Sequence, residues 1–340
     1  MRRLACLLVA IAVSSFGAGC GDDDASGTDA GPPPSDSGGG GICATGSGAV
    51  SLEGQWAIRA NLQVSLTERP GALISLCPSP QTTTASIVFK ATLTGAGTSP
   101  MLRAQICDIT LPVASGGVGA CPVDPTDNLE VSISLGAGLQ TYLPTVNLDS
   151  PVTLSNGEAG ASINPAPFVF VAGAMLATPA TDPLPLWNTA TAGCGSSDLM
   201  AMPATCVSGF DVVRDDDTDT HPGVTLHAVS GDPATILRGD AYVALRVSPT
   251  MMGVVRNAGC IEGTLDSTLD YSIVDSDITL SGARLSTAAV IQNIPAFDVA
   301  PSSTFKMLRG DGTGVNDFDD DNDGTVTCTE IAAHATAFTR

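Results

Sequence analysis

The chain has 340 residues, with 35 Asp and Glu against 14 Lys and Arg, a formal net charge of −21 and only 4% aromatic residues. Lys90 and Lys306 are its only lysines. It therefore lacks the clustered cations that displace counterions from a phosphate backbone, which excludes nucleic acid as a partner. No apolar run approaches the roughly 20 residues that a membrane-spanning helix needs, and the length suits one sizeable domain with appendages.

Arg2 and Arg3, an apolar run over 4–13 and small residues up to Cys20 read as a signal peptide over 1–19. The segment Phe16-Gly17-Ala18-Gly19-Cys20 resembles a bacterial lipobox, which implies that Cys20 is the lipidated residue. Gly17 stands where that motif usually carries Leu. Residues 20–42 are rich in Asp, Gly, Pro and Ser and hold too little apolar surface to repay ordering, so a disordered tether is expected. A lipidated Cys followed by such a tether resembles bacterial envelope lipoproteins. The resemblance implies attachment to a membrane through N-terminal lipid, at the outer membrane or cell surface before the inner membrane.

Cys6 falls in the leader and Cys20 is assigned to lipid. Of ten cysteines that leaves Cys43, Cys77, Cys107, Cys121, Cys194, Cys206, Cys260 and Cys328. An even set in an exported chain reads as four disulfides. Proximity suggests Cys107–Cys121 and Cys194–Cys206. The other four allow three connectivities, among which Cys260–Cys328 would tie the C-terminus to the body.

Residues 43–300 carry short alternating runs separated by Gly, Pro, Asn and Asp, the pattern of an all-β domain, an antiparallel sandwich or barrel. Strands are predicted at 55–66, 86–93, 102–111, 129–135, 168–175, 223–229, 241–247, 263–271 and 272–280. The apolar run at 168–177 is too short to cross a bilayer and reads as a buried strand, and a membrane barrel would want aromatic girdles. Gly54-Gln55-Trp56 resembles the Gly-x-Trp of lipocalins, which would imply an apolar ligand inside a barrel. Trp56 serves equally as a core anchor.

Asp215, Asp217 and Asp219 alternate as calcium ligands do, but Thr220 and Leu226 stand where a calcium loop needs its turn Gly and distal Glu. The turn resembles the Asp-rich turns of thrombospondin-type calcium repeats. Either a weak calcium site or a solvated acidic loop fits.

Residues 319–330, DDDNDGTVTCTE, match the EF-hand calcium loop. Asp319, Asp321 and Asp323 fill positions one, three and five, and Gly324 the turn at six. Thr325 offers its carbonyl at seven, Thr327 stands at nine and Glu330 supplies the carboxylate at twelve. A short helix is expected over 302–308, and an exiting helix over 328–338. The segment 301–340 is thus expected to be a short helical EF-hand-like appendage binding Ca2+. It resembles the single, half-framed loops of bacterial extracellular proteins.

Histidines 221, 227 and 334 form no HExxH helix, and no GxSxG elbow or phosphate-binding glycine loop is present. The expectation is a calcium-binding, lipid-anchored envelope protein, a binding or structural module and not an enzyme. Its further partner would be a protein or a small molecule. The alternatives are a lipocalin-like carrier of an apolar ligand and a carboxylate-dependent hydrolase using acids such as Asp266 and Asp270, or Asp275 and Asp277.

Overall fold

The computed structural model describes residues 42–339 except 96, 196, 197, 199, 200, 232–235, 314 and 315. The expected leader, Cys20 and the tether up to residue 41 lie outside the described residues. In chain order the strands begin with β1 (Gly54–Thr67), β2 (Ile74–Leu76), β3 (Gln81–Thr94), β4 (Met101–Thr110), β5 (Ala114–Val118) and β6 (Leu129–Leu135). After helix α1 (Ala137–Tyr142) come β7 (Leu148–Leu154), β8 (Ser162–Pro165), β9 (Phe170–Ala172) and β10 (Leu186–Trp187). Helix α2 (Pro203–Cys206) precedes β11 (Val207–Ser208), β12 (Val224–Ser230), β13 (Leu237–Asn257), β14 (Cys260–Leu280) and β15 (Ala283–Arg284). Helix α3 (Thr287–Asn293), β16 (Ala296–Val299), β17 (Thr304–Arg309) and helix α4 (Cys328–Ala333) complete the chain.

The hydrogen-bonded path closes on itself. Taken in chain order, β1, β3, β4, β7, β8, β13, β14 and β17 each pair antiparallel with the next, and β17 returns to β1. This is an eight-stranded up-and-down barrel, a form that removes sheet edges by closure. Of the two all-β architectures expected, the barrel is the one present. Beyond the ring, the far half of β13 carries β12, β6, β5 and β2 as a side sheet, while β9 pairs with β13 and β16 with the end of β1.

Alternation explains the closure. In β1, Ile58, Ala60, Leu62, Val64 and Leu66 point inward, and in β3 so do Ala85, Ile87, Phe89, Ala91 and Leu93, all buried in one core. Arg59, Asn61, Gln63, Lys90 and Thr92 take the outer positions of the same strands. An apolar interior with a polar exterior is the reverse of a lipid-embedded barrel. Trp56, fully buried, donates its indole N–H to the Leu52 carbonyl at 2.9 Å. It stands opposite Arg309 in the β1–β17 register. Arg309 is itself 7% exposed, pairs with Asp311 at 2.8 Å and donates to the carbonyls of Ser51 and Glu53, fastening the incoming chain to the barrel end.

Several expected elements change. Residues 263–280, read as two strands, belong to the single β14, and 241–247 is one part of the 21-residue β13. The run at 168–175 holds only the three-residue β9. Residues 304–309, which overlap most of the short helix expected over 302–308, form β17, because Phe305 and Met307 turn into the core while Lys306 faces out. The C-terminal segment therefore supplies a barrel strand, and a domain boundary at 300 would cut the ring.

All eight cysteines expected to be oxidised are paired: Cys43–Cys260, Cys77–Cys121, Cys107–Cys328 and Cys194–Cys206. Cys194–Cys206 is as expected; Cys107–Cys121 and Cys260–Cys328 are not. Cys107 is the extra residue of a β-bulge, since Val88 and Phe89 oppose Asp108 and Ile106. A bulge re-aims a side chain, and this one turns Cys107 out to the C-terminal segment. Cys121 instead follows β5, beside the end of β2 that carries Cys77.

Candidate functional site

Two features stand out: the C-terminal acidic loop and an apolar cavity between one end of the barrel and the side sheet. The loop lies against the outer wall, where Phe318, Val326, Ile331 and Phe338 pack on Ala57 and Leu308, with Val88 and Cys107 at the edge of the cluster. Phe318 donates its backbone N–H to Gly310 O at 2.8 Å. A Cβ at Gly310 would stand 2.6 Å from the Phe318 ring, so this close approach needs glycine. The barrel itself, through β17 and Gly310, takes the place of an entering helix.

Asp319, Asp321 and Asp323 each offer a carboxylate oxygen within 4.8 Å of the others. Asp319 accepts the N–H groups of Asp323 and Gly324 at 3.0 and 2.8 Å, and Asp323 accepts that of Thr325 at 2.7 Å. Asn322 and Gly324 hold the left-handed conformation at φ 58° and 85° that lets the loop curl. Thr327 caps α4 in a reciprocal capping box with Glu330. The Glu330 carboxylate accepts from the Asp320 amide at 2.9 Å and from the Thr327 amide and hydroxyl at 2.7 Å. Three of the four expected carboxylates are thus gathered, and the fourth is held at the head of the exiting helix. That helix is shorter than 328–338, passing after Ala333 into a 3₁₀ turn over Ala335–Thr339.

Asp321 is held above the ordinary carboxylate range: the Asp323 amide pulls it down, but burial and the negative Asp323 and Glu330 outweigh that bond. Glu330 is held below its usual range by the Thr327 hydroxyl and amide. A hard divalent cation would relieve the repulsion felt by Asp321, and oxygen ligands are what calcium takes.

Gln55, on β1, has a role that no spacing in the loop announces. Its side-chain amide donates to Gly324 O at 2.7 Å and accepts from Val326 N at 2.8 Å, clamping both sides of the turn to the barrel. Gln55→Ala should lower calcium affinity about tenfold, since two net hydrogen bonds at about 0.5–1.5 kcal/mol each order the loop. Calorimetric titration checks this; unchanged affinity would leave Gln55 a bystander. Asp320, at position two, turns away and bonds His334 Nε2 at 2.8 Å.

The cavity measures about 210 Å³ and lies where β1, β13 and β14 leave the ring toward the side sheet. Leu62, Ile87, Leu139, Leu226, Ala241 and Ile278 are among its walls. Its polar lining is sparse and half-buried. Arg69 donates to Ile294 O at 2.8 Å and to the Tyr271 hydroxyl at 3.4 Å, and that hydroxyl donates to Pro295 O at 2.8 Å. Burial raises the Tyr271 phenol above its ordinary value, against the pull of Arg69. Glu68 is the sole carboxylate of the lining and accepts from Leu76 N at 3.0 Å. Among the described residues Arg69 has no carboxylate within ion-pair distance.

The acids considered for hydrolysis do not face this space. Asp270 pairs with Arg246 and Asp277 with Arg284, Asp266 is exposed, and Asp275 is taken by Ser276 and Thr287. No family model matches the chain, and no curated protein matches it.

Proposed function

We propose that this protein is a calcium-braced carrier of a small apolar or amphiphilic molecule, held in the bacterial cell envelope by lipid on Cys20. The observation that carries the reading is the apolar cavity of about 210 Å³ at one end of the closed ring, walled by β1, β3, β13 and β14 and by the side sheet. Lipocalins, also eight-stranded up-and-down barrels, hold single ligands inside the ring, whereas this chamber is offset toward the side sheet. Apolar cavities of roughly 150 Å³ already take benzene-sized molecules, so one ring or a length of alkyl chain fits here. Arg69 and Tyr271 would meet a polar head group.

The test is a titration of delipidated protein with a neutral naphthylamine probe that brightens in apolar surroundings. Saturable uptake at one site, displaced by a long-chain amphiphile, is expected. Absence of saturable brightening would sink the carrier reading.

Calcium at Asp319, Asp321, Asp323, Thr325, Thr327 and Glu330 is the second part of the reading, supported by the gathered carboxylates and the Gln55 clamp. A lone loop suits the weak range of extracellular modules, about 0.1–1 mM. Glu330→Gln should weaken binding at least tenfold and Asp320→Asn less than threefold. Equal losses would indicate diffuse acidic attraction. For the anchor, Cys20→Ser should move the protein to the soluble fraction; unchanged fractionation would remove lipid from the account.

A further inference from the structure

We propose that Asp215, Asp217 and Asp219 form a second calcium site, about 100 residues before the first in sequence. Their carboxylates each offer an oxygen within 4.8 Å of the others. Asp217 is 4% exposed, and its Oδ1 is buried with no hydrogen-bond partner. Its other oxygen accepts from Thr225 N at 2.7 Å. A buried carboxylate oxygen left without a donor is costly, and none of the three acids forms an ion pair among the described residues. Arg214, the nearest cation in sequence, spends its guanidinium on the carbonyls of Asp211 and Val213. A bound cation would give Asp217 Oδ1 its missing partner.

The turn also has the geometry of the C-terminal loop. Asp215 accepts the N–H groups of Asp219 and Thr220 at 3.1 and 2.9 Å, as Asp319 accepts those of Asp323 and Gly324. Asp219 accepts from His221 N at 2.9 Å, as Asp323 does from Thr325 N. Thr218 and Thr220 stand at φ 57° and 75°, matching Asn322 and Gly324 at 58° and 85°. The absence of glycine at the sixth position, which argues against a calcium loop in the sequence, has not prevented the fold of one. With no Glu at the twelfth position the site should be weaker than its counterpart, about 1 mM or above.

The site also touches the ligand chamber. Thr225, whose amide and hydroxyl reach Asp217 and Asp219, precedes Leu226 on the cavity wall. A Cβ at Gly138 in α1, next to the lining residue Leu139, would stand 2.1 Å from Asp217 O.

The experiment uses the oxidised full chain with the C-terminal loop disabled by Asp319→Asn and Glu330→Gln. Calcium at several times the expected Kd should still raise its Tm by about 2–4 °C. Adding Asp217→Asn, or the exposed Asp215→Asn should the first fail to fold, should abolish that shift. In chelator, Asp217→Asn should be at least as stable as its parent, because a purely structural carboxylate would instead be missed. If the loop-disabled chain shows no shift with calcium, or the added variants keep it, the second site is overturned. The C-terminal site is judged separately, by calcium titration of the unmutated chain, so the two can fail independently.

Discussion

Ala241→Phe should raise the melting temperature and at the same time cut uptake of the naphthylamine probe at least tenfold. Ala241 is buried on β13 and lines the cavity. In a close-packed core the added ring would cost about 1–3 kcal/mol in strain. Here it enters open space, and cavity filling commonly contributes about 0.5–2 kcal/mol. The opposite change, Leu237→Ala at a buried wall residue, widens the chamber and should destabilise by about 2–5 kcal/mol while admitting bulkier ligands. Thermal unfolding and probe titration on the same preparations read both signs. A Phe variant that still takes up probe like the wild type would show that binding occurs elsewhere.

Removing the Cys107–Cys328 bridge, by Ser at both positions, should cost about 2–5 kcal/mol of stability and at least a tenfold loss of calcium affinity. The bridge spans 221 residues and fixes the chain two residues before Glu330. Without it, α4 is tied to the barrel wall by its apolar contacts and, through the preceding loop, by the Gln55 clamp. Removing Cys194–Cys206, which spans 12 residues, should cost less, about 3 kcal/mol or under, and leave C-terminal calcium affinity unchanged. Denaturant unfolding and calorimetry separate the two. Equal calcium losses from both would mean that global loosening, and not loop fixation, governs the site.

Much of the sheet was legible because its strands alternate: Leu62, Val64 and Leu66 in the barrel, and Val131, Ile133 and Leu135 in the side sheet, carry the period of two without help from context. Where the pattern hid, a local feature masked it. Pro249 and Gly253 interrupt β13 in sequence, yet β9 pairs with 245–247 and β8 with 253–254, leaving Pro249 between them with β14 as its paired neighbour. A residue without an N–H fits such a gap. In β7, Pro151 likewise broke the reading of Leu148, Ser150, Val152 and Leu154, all buried. The gathering of Asp319, Asp321 and Asp323 was readable because the three lie close in sequence. Gln55 was not, because 269 residues separate it from Gly324. Disulfide pairing failed for the same reason wherever the partners were distant, and held for Cys194–Cys206, where they were near.

The Cys43–Cys260 bridge has a mechanical consequence. Cys43 precedes the barrel, and Cys260 opens β14 at the turn from β13, the longest hairpin of the ring. Asn257 adds donated hydrogen bonds to the carbonyls of Ile42 and Ala44 at 3.1 and 2.9 Å. A pull applied ahead of residue 42, as by a membrane anchor under shear, therefore enters the body through a covalent bond at that hairpin. The span from 44 to 53 and the first strand carry little of the load while the bridge is intact. Reduction would redirect the force into β1, so that the barrel opens by peeling from its first strand, which also walls the apolar cavity.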